Sequence, residues 1–298
     1  MVSVIVLTKN EENDILRCLN SVLWSDDVHV LDSGSMDRTI ELAQKFGAKI
    51  SFNTFTSFGQ QRNFALDNLE IKHNWVLFLD ADEVATANFR EAILSAIDKA
   101  DDQVAGFYCC WKMMYEGKWL KHCDTFPKWQ FRLMRVGMAR FKDVGHGQKE
   151  DKVEGRIEYI KVPYLHYSMS KGWSEWYDRH NRYSTLEAKV RLHKPPFKII
   201  FAGHGSVRNP ALKAWLSRIP GWPVLRFCHA YFYNFGFLEG VPGLIYCINI
   251  AIVEFMTQVK MREIRKSMYE EEPSLNIERW KQGRHCDDKL LGVYKKCE

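Results

Sequence analysis

The stretch Trp75–Glu83, WVLFLDADE, constrains the fold of this chain more than any other part of its sequence. Five apolar residues run without interruption and end in two carboxylates, Asp80 and Asp82. A continuous apolar run is typical of a strand that is buried on both faces of a sheet. The carboxylates then fall at the carboxyl end of that strand, where open α/β sheets bind their ligands. Two hard oxygen ligands at this place suit a divalent cation that also holds a diphosphate.

Predicted strands and helices alternate around this stretch. The apolar pattern predicts four strands, at residues 3–7, 28–31, 49–52 and 75–79. Helical spacing of apolar residues predicts helices between and after them, at residues 10–23, 37–46, 58–69 and 88–99. Gly47 is placed to end the second of these helices. This order predicts an α/β fold, with a parallel sheet that carries helices on its faces.

The character of the sequence changes after about residue 100. Short aromatic-rich strands such as Gly106–Met113 and Trp129–Met134 alternate with turns, which predicts a mixed-sheet half that closes over the first. We therefore divide the chain into a first half, a second half, an amphipathic and apolar helical region, and a polar tail. Their predicted boundaries are 1–100, 101–192, 193–267 and 268–298.

Basic residues are concentrated beside the most apolar part of the chain. Residues 1–170 carry 21 Lys and Arg against 24 Asp and Glu, whereas residues 171–298 carry 21 against 13. The excess lies mainly in residues 171–226, with 11 against 3. A basic patch beside an apolar segment favours an anionic membrane surface over nucleic acid as the partner.

The apolar segment Val241–Val259 approaches the length needed to cross a bilayer. Pro242, Gly243, Asn249 and Glu254 make it a poor spanning helix. We therefore expect half-inserted or interfacial helices within residues 222–259. A pair of buried core helices in a soluble enzyme is the alternative.

The cysteines and the amino-terminal residues indicate in which cellular compartment the protein works. The eight cysteines include no Cys-x-x-Cys pair, so a zinc site has little support. The first residues, MVSVIVLTKN, predict a strand and a polar turn rather than a signal peptide. We therefore expect reduced thiols in a cytoplasmic protein.

Polar clusters also follow the other predicted strands. Thr8, Asn10 and Glu11 follow the first strand, where the turn and the next helix can offer N–H groups and side-chain oxygens to a nucleotide. Asp32 ends the second strand, and its carboxylate can accept bonds from a base imide or a ribose hydroxyl. Arg62 can meet phosphate charge. Helix capping and an exposed arginine are the simpler explanations.

Taken in order, four motifs resemble the inverting family 2 glycosyltransferases of GT-A fold. They are SVIVLTKNEENDILRCLNSV, LDSGSMDRT, GQQRNFAL and FLDADE. The resemblance is strong over residues 1–100 and continues more weakly to about residue 190. Later stretches are similar to the branch of lipopolysaccharide-core β-1,4-glucosyltransferases and related enzymes that extend lipid-linked glycans. They are PKWQFRLMR, the region from His146 to Asp151, LHYS, RHNRYSTLEA and GFLEGVPGL.

The resemblance implies a nucleotide-sugar-binding half at 1–100 and an acceptor-binding half at 101–192. It implies that Thr8, Asn10 and Glu11 line the nucleotide pocket, that Asp32 holds uracil or ribose, and that Arg62 lies beside the nucleotide.

Asp80 and Asp82 match the family's DxD motif, which implies that one contacts ribose or the metal and the other binds Mg²⁺ or Mn²⁺ directly. His166 is the candidate for a further metal ligand. A structural histidine in a strand is the alternative for this residue.

The catalytic base is less clearly marked by the resemblance. The related branch usually shows a His-Glu pair after the FRLxR strand, whereas here His146 is followed by Gly147. The acid is displaced, so we rank Glu150 first as the base, Asp151 second and Asp124 third. The resemblance further implies a UDP-hexose donor, with glucose as the first choice. It implies a lipid-linked glycan or lipopolysaccharide-core acceptor, at the cytoplasmic face of an inner membrane.

Three other classes share parts of this pattern. Phosphohydrolases of the haloacid dehalogenase type place a DxDx(T/V) motif after a strand, but there it opens the fold, whereas three strands precede Asp80 here. A sugar nucleotidyltransferase should carry a glycine-rich basic loop after the first strand, where this chain has TKNEEN. A non-catalytic membrane scaffold with the same fold is the third class.

Overall fold

The four strands and four helices predicted for the first half are present. The computed structural model describes residues 1–144, 147–193, 195–201 and 205–270. The strands are β1 (Ser3–Thr8), β2 (Val28–Asp32), β3 (Lys49–Phe52) and β4 (Trp75–Asp80). The helices are α1 (Ile15–Ser21), α2 (Thr39–Phe46), α3 (Phe58–Asn68) and α4 (Ala87–Lys99). Gly47 follows α2 in the left-handed region, with a φ of 89°, as its predicted role as a helix stop requires.

Helix α1 is shorter than the prediction of residues 10–23. Asn10 has a φ of 54°, in the left-handed region, so the chain turns there instead of entering a helix. The N–H groups of Asp14 and Ile15 both bond to the carbonyl oxygen of Glu11, in the turn that precedes the helix. The loop after β1 is therefore longer than the periodicity indicated.

The first half forms the parallel sheet that the pattern predicted. The strand order is β3-β2-β1-β4, and each neighbouring pair is parallel. Thr8 in β1 lies opposite Asp32 in β2, and Leu7 lies opposite Asp80 in β4. The register therefore brings the carboxyl ends of three strands, with their polar residues, to one edge of the sheet.

The second half extends this sheet instead of closing over it as a separate layer. Its strands are β5 (Glu83–Val84), β6 (Val104–Tyr115), β7 (Lys118–Trp119), β8 (Trp129–Arg135), β9 (Arg140–Val144), β10 (Gly147–Asp151) and β11 (Arg156–His166). Strand β8 is antiparallel to β4 on one side and to β6 on the other, and β11 runs parallel to β6. The predicted mixed sheet is confirmed as nine strands, and β9 and β10 form a separate hairpin.

Both faces of the central strands are buried, as the uninterrupted apolar run of β4 predicted. Leu77 and Leu79 belong to one core cluster, whereas Val76 and Phe78 belong to a second cluster on the opposite face. This division follows from the alternation of side chains along a strand. The sheet edge that carries the polar residues is therefore held by a rigid, two-sided core.

The carboxyl-terminal region is helical and packs against the same body. It comprises α5 (Gly172–Leu192), a 3₁₀ helix (Phe197–Phe201), α6 (Gly205–Leu216), α7 (Trp222–Cys228), a π-helical turn (His229–Tyr233), a 3₁₀ turn (Gly236–Glu239) and α8 (Gly240–Glu270). A third core cluster joins strand β6 and the loop before β8 to helices α5 and α8. Its buried members are Met113, Leu120, Cys123, Met169, Trp176, Ala230, Tyr246 and Cys247.

Helix α8 contains most of the apolar segment predicted to meet a membrane and extends into the predicted polar tail. Together with the preceding 3₁₀ turn, it is long and apolar enough to cross a membrane by length and composition, and 33% of its most apolar window is buried in the protein. It continues to Glu270, past the predicted start of the tail at residue 268. Residues 271–298, the rest of that tail, lie outside the described residues.

Candidate active site

The DxD residues lie at the sheet edge and are fixed by the strand that follows them. Strand β5 pairs antiparallel with the end of β11, and the N–H of Tyr167 donates to the carbonyl oxygen of Asp82 at 2.9 Å. This pairing sets His166 opposite Glu83 and brings its ring to Asp82, with 3.3 Å between Asp82 Oδ2 and His166 Nε2. The two residues predicted as metal ligands from distant parts of the sequence are therefore neighbours.

Two buried arginines hold the carboxylate of Asp80. Arg62 donates from Nη2 to Oδ1 at 3.1 Å, and Arg132 donates from Nη2 to Oδ2 at 2.7 Å. Burial alone would raise the pKa of Asp80, but the two guanidinium groups outweigh it and lower that pKa. Asp80 is therefore an anion whose two oxygens are already occupied by protein donors.

Glu83 completes this buried network. Its Oε1 accepts a bond from Arg132 Nη2 at 2.5 Å, and its Oε2 accepts the N–H of Asp80 at 2.9 Å. Burial raises the pKa of Glu83 to about 7, against the opposing effect of Arg132. Glu83 thus orients both the backbone of the DxD loop and the arginine that holds Asp80.

Asp82 and His166 form an ion pair inside the site. Burial opposes the charge on each group, but the pair raises the pKa of His166 to about 9 and lowers the pKa of Asp82. Among the described residues, no group of three or more His, Cys, Asp or Glu side chains is arranged to hold a metal ion. The donor set present, one carboxylate and one imidazole, fits a divalent cation that takes its remaining ligands from a bound diphosphate.

The loop after β1 brings a second carboxylate to the site. Lys171 Nζ donates to Glu11 Oε1 at 2.5 Å and to the carbonyl oxygen of Lys9 at 3.2 Å. Burial raises the pKa of Glu11 to about 8, and the charge of Asp82 adds to this effect. Lys171 therefore joins the segment after β11 to the predicted nucleotide loop and adds a cation to the site.

Asp32 is buried, and its carboxylate is used within its own turn. Oδ2 accepts the N–H groups of Gly34 and Ser35, each at 2.8 Å, and Oδ1 accepts the hydroxyl of Ser35 at 2.5 Å. The N–H of Asn10 donates to Ser35 Oγ at 2.8 Å, and Asn10 Oδ1 accepts the N–H of Met36 at 2.8 Å. These bonds hold two loops of the pocket together, and the predicted contacts of Asp32 and Asn10 with a nucleotide stay predictions.

Buried polar atoms without a hydrogen-bond partner are concentrated at this edge. In the part of the chain that the structure describes, five of the eight such side-chain atoms belong to residues of this site. They are Thr8 Oγ1, Glu11 Oε2, Arg62 Nε, Arg132 Nη1 and His166 Nδ1. Since buried polar groups are nearly always paired, their grouping indicates a site that a polar ligand completes.

Comparison with known proteins agrees with this geometry. The model of the family described as glycosyl transferase family 2 matches residues 3–147. An uncharacterized glycosyltransferase of Rickettsia bellii is 36% identical over 281 residues, which cover 88% of this chain and 86% of the relative. The chain belongs to the family 2 glycosyltransferases.

Other similar proteins carry more specific descriptions. The lipopolysaccharide core biosynthesis glycosyltransferase LpsC of Rhizobium meliloti is 24% identical, over 87% of this chain and 91% of that protein. The solved structure of S. aureus TarS in complex with UDP-GlcNAc has a TM-score of 0.47 and 16% identity, over 89% of this chain and 92% of that chain. Glucosyl-3-phosphoglycerate synthase of Mycobacterium tuberculosis, in complex with Mn²⁺, UDP and phosphoglyceric acid, has a TM-score of 0.42 and 15% identity. That match covers 64% of this chain and 77% of the other.

Family membership settles the class of enzyme. The chain is a glycosyltransferase, and the predicted α/β class of GT-A type is confirmed by the family match together with the mixed sheet. The haloacid dehalogenase and nucleotidyltransferase alternatives are thereby set aside.

The transferase carries its first two candidate bases on the β9–β10 hairpin. Burial and the nearby carboxylate of Glu150 raise the pKa of Tyr108. Asp151 is paired with Lys142 of β9 at 3.0 Å. The hairpin packs beside α3. His146, part of the motif that marked this region, lies outside the described residues.

The third candidate base lies elsewhere in the transferase. Asp124 is in the loop between β7 and β8, is 3% exposed, and accepts the hydroxyl of Tyr246 in α8 at 2.6 Å. It also pairs with Lys128. The structure therefore does not bring the three candidate bases together, and the assignment of the base stays a prediction.

Three residues of the site had no role in the sequence prediction. Arg132 and Glu83 hold Asp80, and Lys171 holds Glu11. For Arg132 a signal was present, because a lone arginine in the apolar strand FRLM needs an anionic partner when it is buried. Lys171 offers no comparable signal, since a lysine at the start of a helix is ordinarily solvated.

Proposed function

We propose that this transferase moves a hexose, with glucose as the first candidate, from a UDP-sugar to a lipid-linked glycan or lipopolysaccharide-core acceptor, with inversion and with a divalent metal. The observation that carries the proposal is the group of five unpartnered buried polar atoms around the Asp82–His166 pair. A nucleoside diphosphate offers both the charge and the oxygen atoms that such a group of donors and acceptors can bind.

The residues of the site divide the work of binding the donor. Asp82 and His166 would hold Mg²⁺ or Mn²⁺, which when bound neutralises the charge that develops on the leaving diphosphate. Both oxygens of Asp80 are occupied by arginines, so we propose that Asp80 is not a direct metal ligand and contributes through the ribose side of the pocket. Glu11, Thr8 and the neighbouring turn would line the nucleotide.

Inversion requires that an acceptor hydroxyl attack the anomeric carbon from the face opposite the leaving diphosphate, while a carboxylate takes its proton. We keep Glu150 as the first candidate for this base, Asp151 as the second and Asp124 as the third. Donor binding and sugar transfer are measured for Glu150→Gln, Asp151→Asn and Asp124→Asn. The base is the residue whose variant still binds the donor but no longer transfers the sugar.

The proposed acceptor and location rest on the surface of the carboxyl-terminal region and on the similarity to LpsC. Large apolar side chains are exposed from the π-helical turn, through the 3₁₀ turn, to the start of α8. They are Phe232, Tyr233, Phe235, Phe237, Leu238 and Val241. The outer face of α8 also exposes Ile248, Ile252, Phe255 and Val259. Apolar area of this extent beside a basic segment suits the interface of an anionic membrane.

We propose that α8 lies on the membrane at its cytoplasmic face and does not cross it. Glu254, near the middle of α8, points into the protein and pairs with Arg191 of α5 at 2.6 Å. A helix that holds one face against α5 and exposes the other to lipid is interfacial in character.

A donor screen tests the proposed chemistry. Purified protein in detergent is titrated with UDP-glucose, UDP-galactose, UDP-N-acetylglucosamine and GDP-mannose, first with Mn²⁺ and then with EDTA, and UDP release is followed. We expect metal-dependent binding of one UDP-sugar. In Asp82→Asn we expect transfer to fall about a thousandfold or more, because the ligand that fixes the metal on the diphosphate is lost.

The matched control for Asp82→Asn is Asp98→Asn, the same change at an exposed position of α4. Full transfer by Asp82→Asn, with an unchanged circular dichroism spectrum, would remove the metal role. Binding of no nucleotide sugar by the wild type would leave only a shared fold and favour the non-catalytic scaffold.

A further inference from the structure

The segment GFLEGVPG, residues 236–243, packs unusually closely against the loop between β7 and β8. A β-carbon built on Gly236 would lie 3.0 Å from Cys123 Cβ and 3.1 Å from Cys247 Sγ. A β-carbon on Gly243 would lie 2.4 Å from the carbonyl oxygen of Gly236. Two positions in this segment therefore leave no room for a side chain: Gly236 because the loop lies against it, and Gly243 because the segment folds back on its own backbone.

Glu239 in this segment binds the backbone of the loop. The residue is 4% exposed, and its carboxylate accepts the N–H of His122 on Oε1 at 2.5 Å and the N–H of Cys123 on Oε2 at 3.2 Å. Its carbonyl oxygen accepts Lys118 Nζ at 3.1 Å. Hydrogen bonds from amides to a buried carboxylate are among the stronger ones in proteins, so this contact orders the loop.

The loop held by Glu239 lies at the same edge of the sheet as the active site. His166 in β11 is paired with Met113 in β6. The chain returns from β6 through β7, and the N–H of Leu120, where the loop begins, donates to the carbonyl oxygen of Met113 at 2.8 Å. Asp124, the third candidate base, follows directly after the two amides that Glu239 binds, and it is also bonded to Tyr246 of α8. The loop therefore belongs to the acceptor half and begins beside the proposed metal ligand.

We infer that Glu239 is a positioning residue, which holds the loop of residues 120–126 in the conformation that receives the acceptor. The inference rests on the proposed function, since it assigns this loop to the acceptor side of a UDP-sugar transferase. Glu239 contacts neither the donor residues nor the Asp82–His166 pair in the described structure, so it acts on the acceptor through the loop. Phe237 and Leu238, its exposed neighbours, belong to the surface that we propose faces the membrane.

Hydrogen–deuterium exchange of the full-length protein tests the contact without any substrate. Glu239→Gln keeps the shape of the side chain but presents an NH₂ group to one of the two amides. We expect the amides of His122 and Cys123 to exchange about tenfold faster or more in this variant. The control is Glu263→Gln, the same change at an exposed position of α8, which should leave this exchange unchanged. Unchanged exchange in Glu239→Gln would overturn the contact.

A second measurement separates positioning from general support of the fold. UDP-[¹⁴C]glucose is supplied with membranes from cells that lack this protein, and label transferred to lipid is compared with glucose released to water. We expect transfer by Glu239→Gln to fall about tenfold more than hydrolysis, because only transfer needs the ordered loop. An equal fall of both rates would overturn the positioning role. If the wild type neither labels membranes nor hydrolyses the donor, the proposed function fails, and the exchange experiment still decides whether Glu239 holds the loop.

Discussion

The buried ion pair between α5 and α8 allows a quantitative test of how the apolar helix is held. Glu254 Oε2 accepts Arg191 Nη1 at 2.6 Å and Trp222 Nε1 at 2.9 Å, and the paired side chains are only 6% and 5% exposed. Lys213 Nζ lies 3.6 Å from Glu254 Oε1. If α8 packs against the protein as described, Glu254→Gln removes one negative charge that faces two cations.

The structure sets the expected magnitude. Breaking a buried ion pair by removing one partner costs about 3–5 kcal/mol. Here Gln retains an oxygen that can accept one bond, and Arg191 keeps its second partner, Glu187, at 2.9 Å. We therefore expect Glu254→Gln to lower the free energy of unfolding by about 2–3 kcal/mol at pH 7.

The pH dependence follows from the pKa of Glu254. Burial alone would raise this pKa, but Lys213, Arg191 and the indole of Trp222 outweigh it and hold the pKa below its ordinary value of 4.5. The stability that the ionised Glu254 contributes is therefore complete above pH 4.5. It is lost as the pH falls through the lower pKa of the folded state. The difference between the wild type and Glu254→Gln should shrink toward pH 3.5.

Urea unfolding of the purified protein, followed by circular dichroism at 222 nm at pH 7 and pH 3.5, measures this difference. Glu263→Gln, at an exposed position of the same helix, is the control and should change the free energy of unfolding by less than about 0.5 kcal/mol. Two results would refute the reasoning: a fall in the free energy of unfolding of less than about 0.5 kcal/mol for Glu254→Gln at pH 7, or an equal fall at both pH values. Either would show that the buried ion pair with α5 is not the reason for a carboxylate in this apolar helix.

Two further predictions test the active site and the membrane surface. Arg132→Met leaves Glu83 and Asp80 with one cation fewer, so we expect a loss of about 3–5 kcal/mol in urea unfolding. The double variant Arg132→Met/Glu83→Leu also removes the carboxylate that would be left unpaired, so most of the lost free energy of unfolding should be recovered. If none is recovered, the broken ion pair is not the cause of the loss. Leu238→Glu/Val241→Glu places two charges on exposed apolar positions, and we expect flotation with phosphatidylglycerol vesicles to fall about tenfold. The control is Leu23→Glu, which places a charge on an exposed apolar position of the first half. Equal flotation of the control and the double variant would show that the membrane surface lies elsewhere.

The point variants of the membrane surface are better tests than removal of residues 222–298. Tyr246 and Cys247 of α8 lie in the same core cluster as Met113 and Leu120 of the acceptor half. Deleting the carboxyl-terminal helices would therefore expose part of the acceptor half and change more than lipid binding.

Much of the site was predictable because its residues follow strands whose apolar pattern is unambiguous. The runs before Thr8, Asp32 and Asp80 predicted parallel strands, and parallel strands end at one edge, so these residues were expected to lie together. The resemblance to the family implied His166 as well, and the structure places it 3.3 Å from Asp82.

The sequence by itself determined the order of strands and helices, the polar edge of the sheet and the family. Only the tertiary structure decided which partner each charged group meets: Arg132 reaches Asp80 across 52 residues of sequence, and Glu239 reaches His122 across 117. The physical reason is that local spacing specifies which face of a strand or helix a side chain occupies. Contacts between distant segments depend instead on strand register and on how closely backbones approach, as they do at Gly236 and Gly243.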